Sequence, residues 1–243
     1  LTDAADDIFD GRFNADGSRS GTFGGTDGVV ILDLPGPDLA RDLALGAGGS
    51  VYVGGGQGTG GGYVARLNSS GALSGLGATG VVDVPFEVEA IELLASGDVL
   101  AAGSEDGDFK LVRVSGSAGA IDATFGVVTV DIDAGSADLL GGLALGPGGT
   151  IVLAGVSDGG IVSDFSVARL TSAGALDDTF AGDGTARLHV SGTYMGAGDA
   201  VVLADGRTVV VGYDESDEQV AVSVVGDDGV FDLTFGTGGL AKA

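Results

Sequence analysis

Short apolar runs joined by polar, glycine-containing turns recur along the whole chain. In residues 43–53, the runs Leu43–Leu45 and Val51–Val53 flank such a turn. Equivalent segments lie at residues 91–101, 143–153 and 201–211. Two apolar runs joined by a tight polar turn are typical of a β-hairpin. No segment keeps an apolar period of about 3.6 residues for long enough to predict a helix.

A second phrase, an arginine followed by a turn and an aromatic residue, alternates with these hairpins. Its clearest copy, from Arg169 to Phe180, is Arg-Leu-Thr-Ser-Ala-Gly-Ala-Leu-Asp-Asp-Thr-Phe. Further copies lie at residues 12–24, 66–77, 113–126 and 223–236. The turn glycines Gly17, Gly71, Gly119, Gly174 and Gly229 are 54, 48, 55 and 55 residues apart. The chain therefore consists of internal repeats with a period of about 53 residues.

Each repeat supplies four predicted strands, which in the third repeat are residues 142–145, 150–155, 165–170 and 185–190. Runs such as Ile151–Ala154 are apolar at every position, so both faces of the sheet must be covered. Four-stranded units of this length, each packed between similar neighbours, predict an all-β fold, a β-propeller of antiparallel blades. A β-solenoid-like repeat array is the alternative, although its rungs are usually much shorter.

The repeat limits predict a single propeller domain or propeller segment over residues 1–243. Residues 1–34 hold a half blade, and successive blades follow at residues 35–84, 85–131, 132–190 and 191–243. This count leaves two hypotheses open, a five-bladed ring with one abbreviated blade and a segment of a larger array. The chain begins at Leu1 without Met or a signal peptide, which we interpret as a piece of a longer precursor.

The order of these phrases resembles the bacterial delta-60 repeat over essentially the whole chain. The third repeat matches best, with Leu-Ala-Leu, Gly-Gly, Ile-Val-Leu-Ala-Gly, Phe-Ser-Val-Ala-Arg-Leu and Leu-Asp-Asp-Thr-Phe within residues 143–180. Two copies depart from the pattern. Gly75-Leu76-Gly77 stands where the family has Thr-Phe-Gly, and Ser223 stands where it has arginine. The resemblance implies a β-propeller in a large exported or surface protein of a bacterium, and it implies no defined activity.

Composition narrows the classes of partner. The 35 acidic and 10 basic residues give a formal charge of −25, which excludes nucleic acid and anionic membrane surfaces as partners. The chain has no Cys, so disulfides and thiolate metal sites are excluded. The uncharged stretches Leu43–Ala65 and Leu139–Ser157 are each predicted to be two strands and a turn, because glycine and proline interrupt any spanning helix. No transmembrane segment is predicted.

The repeated arginines and phenylalanines are the first candidate residues. They are Arg12, Arg66, Arg113 and Arg169, on the third strands, and Phe23, Phe125, Phe180 and Phe235, after the turns. We interpret the arginines as structural groups that pair with Asp or turn carbonyls and tie blades together. The alternative is a ring of arginines that binds an anionic ligand. The phenylalanines are predicted to pack between blades, and the glycines after three of them to adopt backbone angles forbidden to other residues.

Acid–base catalysis has little support. The sole histidine, His189, lies in the predicted strand 186–190, and no Gly-x-Ser-x-Gly motif occurs. We therefore predict a protein that is not an enzyme and has no organic cofactor.

Calcium is the better chemical candidate, because it takes about six to eight oxygen ligands from carboxylates and carbonyls. The candidate ligands are Asp177, Asp178 and Asp183, with further acidic clusters at Glu105–Asp108 and Asp214–Glu218. Ordinary use of Asp in turns and a solvated acidic surface are the alternative. Adaptation to high salt would also explain the acidity.

Together these features predict a structural scaffold or protein-interaction module of a larger assembly, exported from a bacterium or held at its cell surface. A protein partner or self-assembly is expected, with a glycan as the second candidate. A lectin-like carbohydrate-binding propeller stays open, although four Tyr and no Trp offer few aromatic platforms for sugars. The other alternative is a hydrolase or lyase on a propeller scaffold, which would require a metal or an acid/base group.

Overall fold

The chain is all-β in the computed structural model, with four antiparallel blades of the β-propeller type. The structure describes residues 8–34, 38–58, 60–160, 162–189 and 195–243. Within these ranges the helical segments are two 3-10 turns, Ala47–Gly49 and Pro147–Gly149. The predicted fold class is confirmed. In the same ranges, no helix has the length and apolar character needed to cross a membrane.

An N-terminal sheet of two antiparallel strands, the half blade, consists of β1 (Ile8–Gly11) and β2 (Val29–Leu32). The first complete blade consists of β3 (Asp38–Leu45), β4 (Val51–Gln57), β5 (Gly62–Leu67) and β6 (Val81–Val84). The second consists of β7 (Ala90–Leu93), β8 (Val99–Glu105), β9 (Asp108–Ser115), β10 (Ala120–Ile121) and β11 (Val127–Val130). The third consists of β12 (Ala137–Leu145), β13 (Ile151–Asp158), β14 (Ser163–Leu170) and β15 (Thr185–Leu188). The fourth consists of β16 (Met195–Val202), β17 (Thr208–Asp214), β18 (Gln219–Val225) and β19 (Ala241–Lys242).

The third blade shows how the apolar pattern becomes a covered sheet. All eight residues of β14 are buried, as a strand with apolar neighbours on both faces requires. The inner strand β12 begins at Ala137, five residues before the predicted start, because pairing with β13 continues past a bulge between Leu140 and Gly142. The predicted fourth strand, 185–190, ends at Leu188 in the structure, and Val190 lies outside the described residues.

The residue after each repeated phenylalanine has a left-handed backbone. The glycines predicted to need this conformation have it, with φ of +61° at Gly24, +70° at Gly126 and +61° at Gly236. In the third repeat Ala181 takes the same conformation, with φ of +55°. Its N–H donates to the carbonyl of Asp228, 2.9 Å away in the next repeat. The bend therefore links successive repeats, and the third repeat makes it without glycine.

The chain folds into two compact units, residues 1–101 with 112–126 and residues 102–111 with 127–243. The first unit contains two clusters of buried side chains, one around Phe23, Tyr63 and Leu67 and the other around Leu76 and Phe86. The second unit contains a cluster that includes Phe165, Phe180, Leu188 and Phe231. Each unit thus has an apolar core of its own.

Candidate functional site

Four repeated arginines each lie over an aromatic ring, at 4.8 to 5.6 Å from guanidinium carbon to ring centre. The pairs are Arg12 with Phe23, Arg66 with Tyr52, Arg113 with Phe125 and Arg169 with Phe180. Such cation–π contacts gain strength where the charge is shielded from water. Tyr52 serves the first complete blade, where the sequence lacks the phenylalanine after the turn.

Arg169 has the most complete set of partners. Its Nε donates to Asp177 Oδ2 at 2.8 Å, and its Nη2 donates to Thr179 Oγ1 at 3.0 Å. Its Nη1 donates to both the carbonyl and the carboxylate of Asp227, each at 2.7 Å, in the next repeat. Only 9% of this side chain is exposed. These bonds leave little of the guanidinium for an external anion.

The other three arginines also bond within the chain. Arg12 donates to the carbonyl of Ser69 in the next repeat at 3.1 Å. Arg66 donates to the carbonyl of Gly75 at 3.0 Å, and Arg113 donates twice to one oxygen of Asp122, at 2.6 and 3.0 Å. Two arginines therefore reach the following repeat and two bond inside their own.

The last repeat departs from this arrangement, as its sequence does. Ser223 replaces the arginine and donates to the carbonyl of Gly239 at 2.7 Å. Phe235 is half-buried, whereas Phe23, Phe125 and Phe180 are buried. Among the residues of this repeat that the structure describes, the buried aromatic side chain is Phe231.

The calcium candidates Asp177, Asp178 and Asp183 stabilise turns. Asp177 accepts hydrogen bonds from the N–H and hydroxyl of Thr179, which, together with Arg169, hold the pKa of its carboxyl below the usual value. Asp183 accepts the equivalent pair from Thr185, and Asp178 is exposed. The three carboxylates do not converge on one point.

A different acidic cluster does converge. Among the described residues, the group of three whose carboxylate oxygens lie within 4.8 Å of one another is Asp108, Asp131 and Asp138. Asp108 opens β9, Asp131 follows β11, and Asp138 lies near the start of β12. The sequence pattern indicated only Asp108 of these three residues, because Asp131 follows β11 and Asp138 belongs to the next blade.

Asp138 is the buried member of this acidic cluster. Its Oδ1 accepts a 2.5 Å bond from the Ser157 hydroxyl, and its Oδ2 accepts a 2.7 Å bond from the N–H of Ile132. Burial raises the pKa of the Asp138 carboxyl, and the charges of Asp131 and Asp108 raise it further. A cation bound beside these carboxylates would stabilise the ionised form of Asp138.

The acidic cluster already contains one positive group. Lys110 Nζ lies 3.3 Å from Asp108 Oδ2 and 3.2 Å from the hydroxyl of Thr129. Three carboxylates satisfy part of the oxygen shell of a calcium ion, which would need carbonyls and water for the rest. The donor set therefore fits a hard divalent cation, with the Lys110 ammonium as its internal competitor.

The third blade carries different groups at the corresponding position. Asp164 precedes Arg169 by five residues, as Asp108 precedes Arg113, and both belong to an Asp-Phe-x-x-x-Arg sequence. His189 directly follows β15, the last strand of the third blade, and Asp131 directly follows β11, the last strand of the second. The two blades thus build one location with two sets of side chains.

Asp164 is the centre of the third-blade site and is 1% exposed. Its Oδ1 lies 3.0 Å from His189 Nδ1, which must carry the proton to bond a carboxylate, and its Oδ2 accepts a 2.6 Å bond from Arg187 Nη2. Arg187 also pairs with Asp133. His189 is thereby oriented by a buried carboxylate, a pairing that a lone histidine in the sequence did not reveal.

A shallow groove of about 430 Å³ adjoins the third-blade site. Its lining includes His189, Arg187, Val230, Phe231 and Leu233. The His189 imidazole, oriented by Asp164, thus lies in a groove whose other described walls are mostly apolar.

The half blade borders a second cavity, of about 270 Å³. It is lined by Ile8 and Asp10 of β1, by Ala40, Arg41, Asp42 and Leu43 of β3, and by Val53 of β4. Asp10 Oδ2 has no hydrogen-bond partner, and burial raises the pKa of this carboxyl.

Known proteins resemble the chain in fold. A crystal structure of a protein of unknown function from Dyadobacter fermentans DSM 18053 is 13% identical, with a TM-score of 0.52 over 83% of this chain and 65% of that one. The chain thus spans less than two thirds of that protein. Another protein of unknown function, from Bacteroides caccae, is 10% identical, with a TM-score of 0.51 over 88% of this chain and 75% of that one. Neither a family model nor a curated protein matches the chain.

Proposed function

We propose that the protein is a non-enzymatic scaffold or protein-interaction module, exported or held at a bacterial cell surface. The observation that carries the proposal is a contrast between the repeated arginines and a cavity at the N-terminal end of the described chain. The repeated arginines bond within the chain, whereas the cavity beside β1 and β3 is lined by the apolar residues Ile8, Leu43 and Val53 and by Asp10, whose Oδ2 has no hydrogen-bond partner. Cavities with apolar walls and a few polar groups are suited to binding. The resemblance to delta-60 repeats supports the location.

Photocrosslinking tests the interaction role. A benzophenone amino acid replaces Leu43 in one variant and Leu176 in another, both exposed positions, and each variant is incubated with intact bacterial cells. We expect one protein partner, identified by mass spectrometry, to crosslink from one position and not from the other. The same partner from both positions, or none from either, would contradict a specific interaction.

Two further assays separate the alternatives. Saturable binding on a glycan array would favour a lectin-like propeller, because a protein module should bind no sugar specifically. Release of reducing ends or unsaturated products from polysaccharides would favour a hydrolase or lyase. We expect neither activity from the non-enzymatic module that we propose.

Divalent cation binding is the second candidate function, carried by the convergence of Asp108, Asp131 and Asp138. Calcium would lower the repulsion among these carboxylates and stabilise the start of the third blade. Melting curves with and without calcium, described below, test it.

A further inference from the structure

The His189 imidazole has a fixed arrangement of donor and acceptor atoms. Its Nδ1 lies 3.0 and 3.2 Å from the two carboxylate oxygens of Asp164, and Asp164 Oδ2 also accepts a bond from Arg187 Nη2. A carboxylate that pairs with a guanidinium is ionised and acts only as an acceptor, so Nδ1 must carry the proton. In the neutral imidazole, Nε2 then carries no hydrogen and acts as an acceptor.

Nε2 is the part of this ring that remains open. In the ranges that the structure describes, no group donates a hydrogen bond to Nε2, and the His189 side chain is 59% exposed. Asp164, by contrast, is buried, so the ring is anchored at one edge and accessible at the other. Because the anchored ring presents its acceptor in one direction, a bound donor would cost little further ordering of the side chain.

Apolar residues of the next repeat lie beside the ring, in the groove of about 430 Å³ that we call the His189 groove. Val230 and Leu233 are each 63% exposed, whereas Phe231 is buried. The volume is within the range of about 300–1,000 Å³ that is typical of pockets for small ligands. A small ligand with an apolar body would therefore cover side chains that otherwise face water.

Charge favours a neutral ligand for this groove. The formal charge of −25 disfavours anions, and the Arg187 guanidinium in the lining disfavours cations. Nε2 in turn requires a hydrogen-bond donor. A phenol combines these properties, because it is neutral, has an apolar ring and carries one hydroxyl donor.

We propose that the His189 groove binds a small neutral phenol, whose ring packs against Val230 and Leu233 and whose hydroxyl donates to His189 Nε2. This binding site goes beyond the proposed interaction function and does not depend on it, because it uses neither the cavity beside β1 nor a protein partner. The side chain of tyrosine is also a phenol, so the experiment separates a free phenol from a tyrosine of a polypeptide.

Nuclear magnetic resonance of the imidazole is the direct test, because His189 is the only histidine of the chain and gives a single set of ring signals. In weakly alkaline buffer, which keeps the ring neutral, the ¹⁵N shifts should show hydrogen on Nδ1 and none on Nε2. Titration with p-cresol should shift these signals saturably, in the millimolar range expected for so small a ligand. The matched control, 4-methylanisole, has the same ring without a hydroxyl hydrogen and should bind roughly three- to tenfold more weakly.

Two variants locate the site, each followed through the signals of the ligand. Leu233→Lys removes an apolar wall and should weaken p-cresol binding by roughly three- to tenfold, whereas Val201→Lys, at an exposed position of β16 outside the groove, should bind like wild type. Both positions are exposed, so neither change should unfold the chain. His189→Ala should abolish the preference for p-cresol over 4-methylanisole.

Any of five results would overturn the inference. These are hydrogen on Nε2 instead of Nδ1, no saturable shift with p-cresol, equal binding of p-cresol and 4-methylanisole, unchanged p-cresol binding by Leu233→Lys, and tighter binding of N-acetyltyrosinamide than of p-cresol. The last result would assign the groove to a tyrosine of a polypeptide. None of these results depends on the crosslinking experiment, so the groove and the interaction function can each fail while the other stands.

Discussion

The second and third repeats use one backbone plan with different side chains. At the end of its last strand, the second has Asp108, Asp131 and Lys110, which meet Asp138 of the third blade, and the third has a buried Asp164 between Arg187 and His189. After the aromatic residue, the second has Gly126 and the third has Ala181, both with positive φ. The shared backbone marks what the repeat needs in order to fold, and the differing groups mark where function can vary.

The arginines should show the largest difference between the two repeats. Arg169 is 9% exposed with three acceptor residues, whereas Arg113 is 25% exposed with one. Arg169→Ala removes a buried guanidinium with its bonds to Asp177, Thr179 and Asp227 and its contact with the Phe180 ring, and should lower the free energy of unfolding by about 3 kcal/mol. Arg113→Ala should cost distinctly less. Urea unfolding of the two variants checks this order, and equal losses would contradict it.

Asp164 and Asp108, which precede these arginines, should show the second largest difference in stability on substitution. Asp164→Asn removes the charge that holds Arg187 and His189 and should lower the free energy of unfolding by about 1–2 kcal/mol. Asp108→Asn loses a partly exposed ion pair but also relieves repulsion with Asp138, so its effect should be near zero. Denaturant melts at neutral pH measure both, and a larger loss for Asp108→Asn would refute the comparison.

Calcium should distinguish the two locations as well. Millimolar calcium should raise the melting temperature of wild-type protein by about 2–4 °C over the protein in chelator. The Asp131→Asn variant should lose this shift, and the His189→Ala variant should keep it, because among the described residues the three convergent carboxylates are those of Asp108, Asp131 and Asp138. A shift that survives Asp131→Asn would place the ion elsewhere.

Stability should depend on pH in opposite directions through Asp138 and Asp177. The pKa of Asp138 is raised above 3.8, so its contribution is fully present below 3.8 and is lost as pH rises through the folded-state pKa. The pKa of Asp177 is lowered, so its contribution is present above 3.8 and is lost as pH falls through its folded-state pKa. Asp138→Asn should therefore flatten the decline on the alkaline side of 3.8. Unfolding midpoints at a series of pH values provide the check.

The smallest effect concerns the left-handed residue. Ala181→Gly removes the clash of a Cβ at φ of +55° and should raise the free energy of unfolding by about 0.5–1 kcal/mol. The reciprocal change, Gly126→Ala at φ of +70°, should lower it by a similar amount, since no atom near that Cβ adds a further clash. The pair would contradict the backbone argument if both variants changed stability in the same direction.

The repeat made the blades predictable from sequence, because apolar runs, turn glycines and arginines recur at regular spacing. The repeat did not predict which side chains form the candidate sites, because these side chains meet across strands. Asp131 and Asp138 are seven residues apart but approach Asp108 only through the sheet, and His189 finds Asp164 across a strand pair. The adjacent acids Asp177 and Asp178 were predicted to be calcium ligands. In the structure the Asp177 carboxylate accepts the N–H of Thr179 and stabilises a turn. The repeated Asp-Phe-x-x-x-Arg sequence was the available signal for both locations.

The bonds that Arg12 and Arg169 donate to the following repeat couple the half blade to the first complete blade and the third blade to the fourth, as do the N–H groups of Gly24 and Ala181. Stability along such a chain is a sum of local terms and nearest-neighbour terms, as in a one-dimensional lattice. A substitution that removes the acceptor in one of these repeats should then destabilise the repeat before it, and should affect more distant repeats only indirectly. The direction of these bonds gives the array a polarity, so damage at Asp227 would be felt at Arg169, toward the N-terminus.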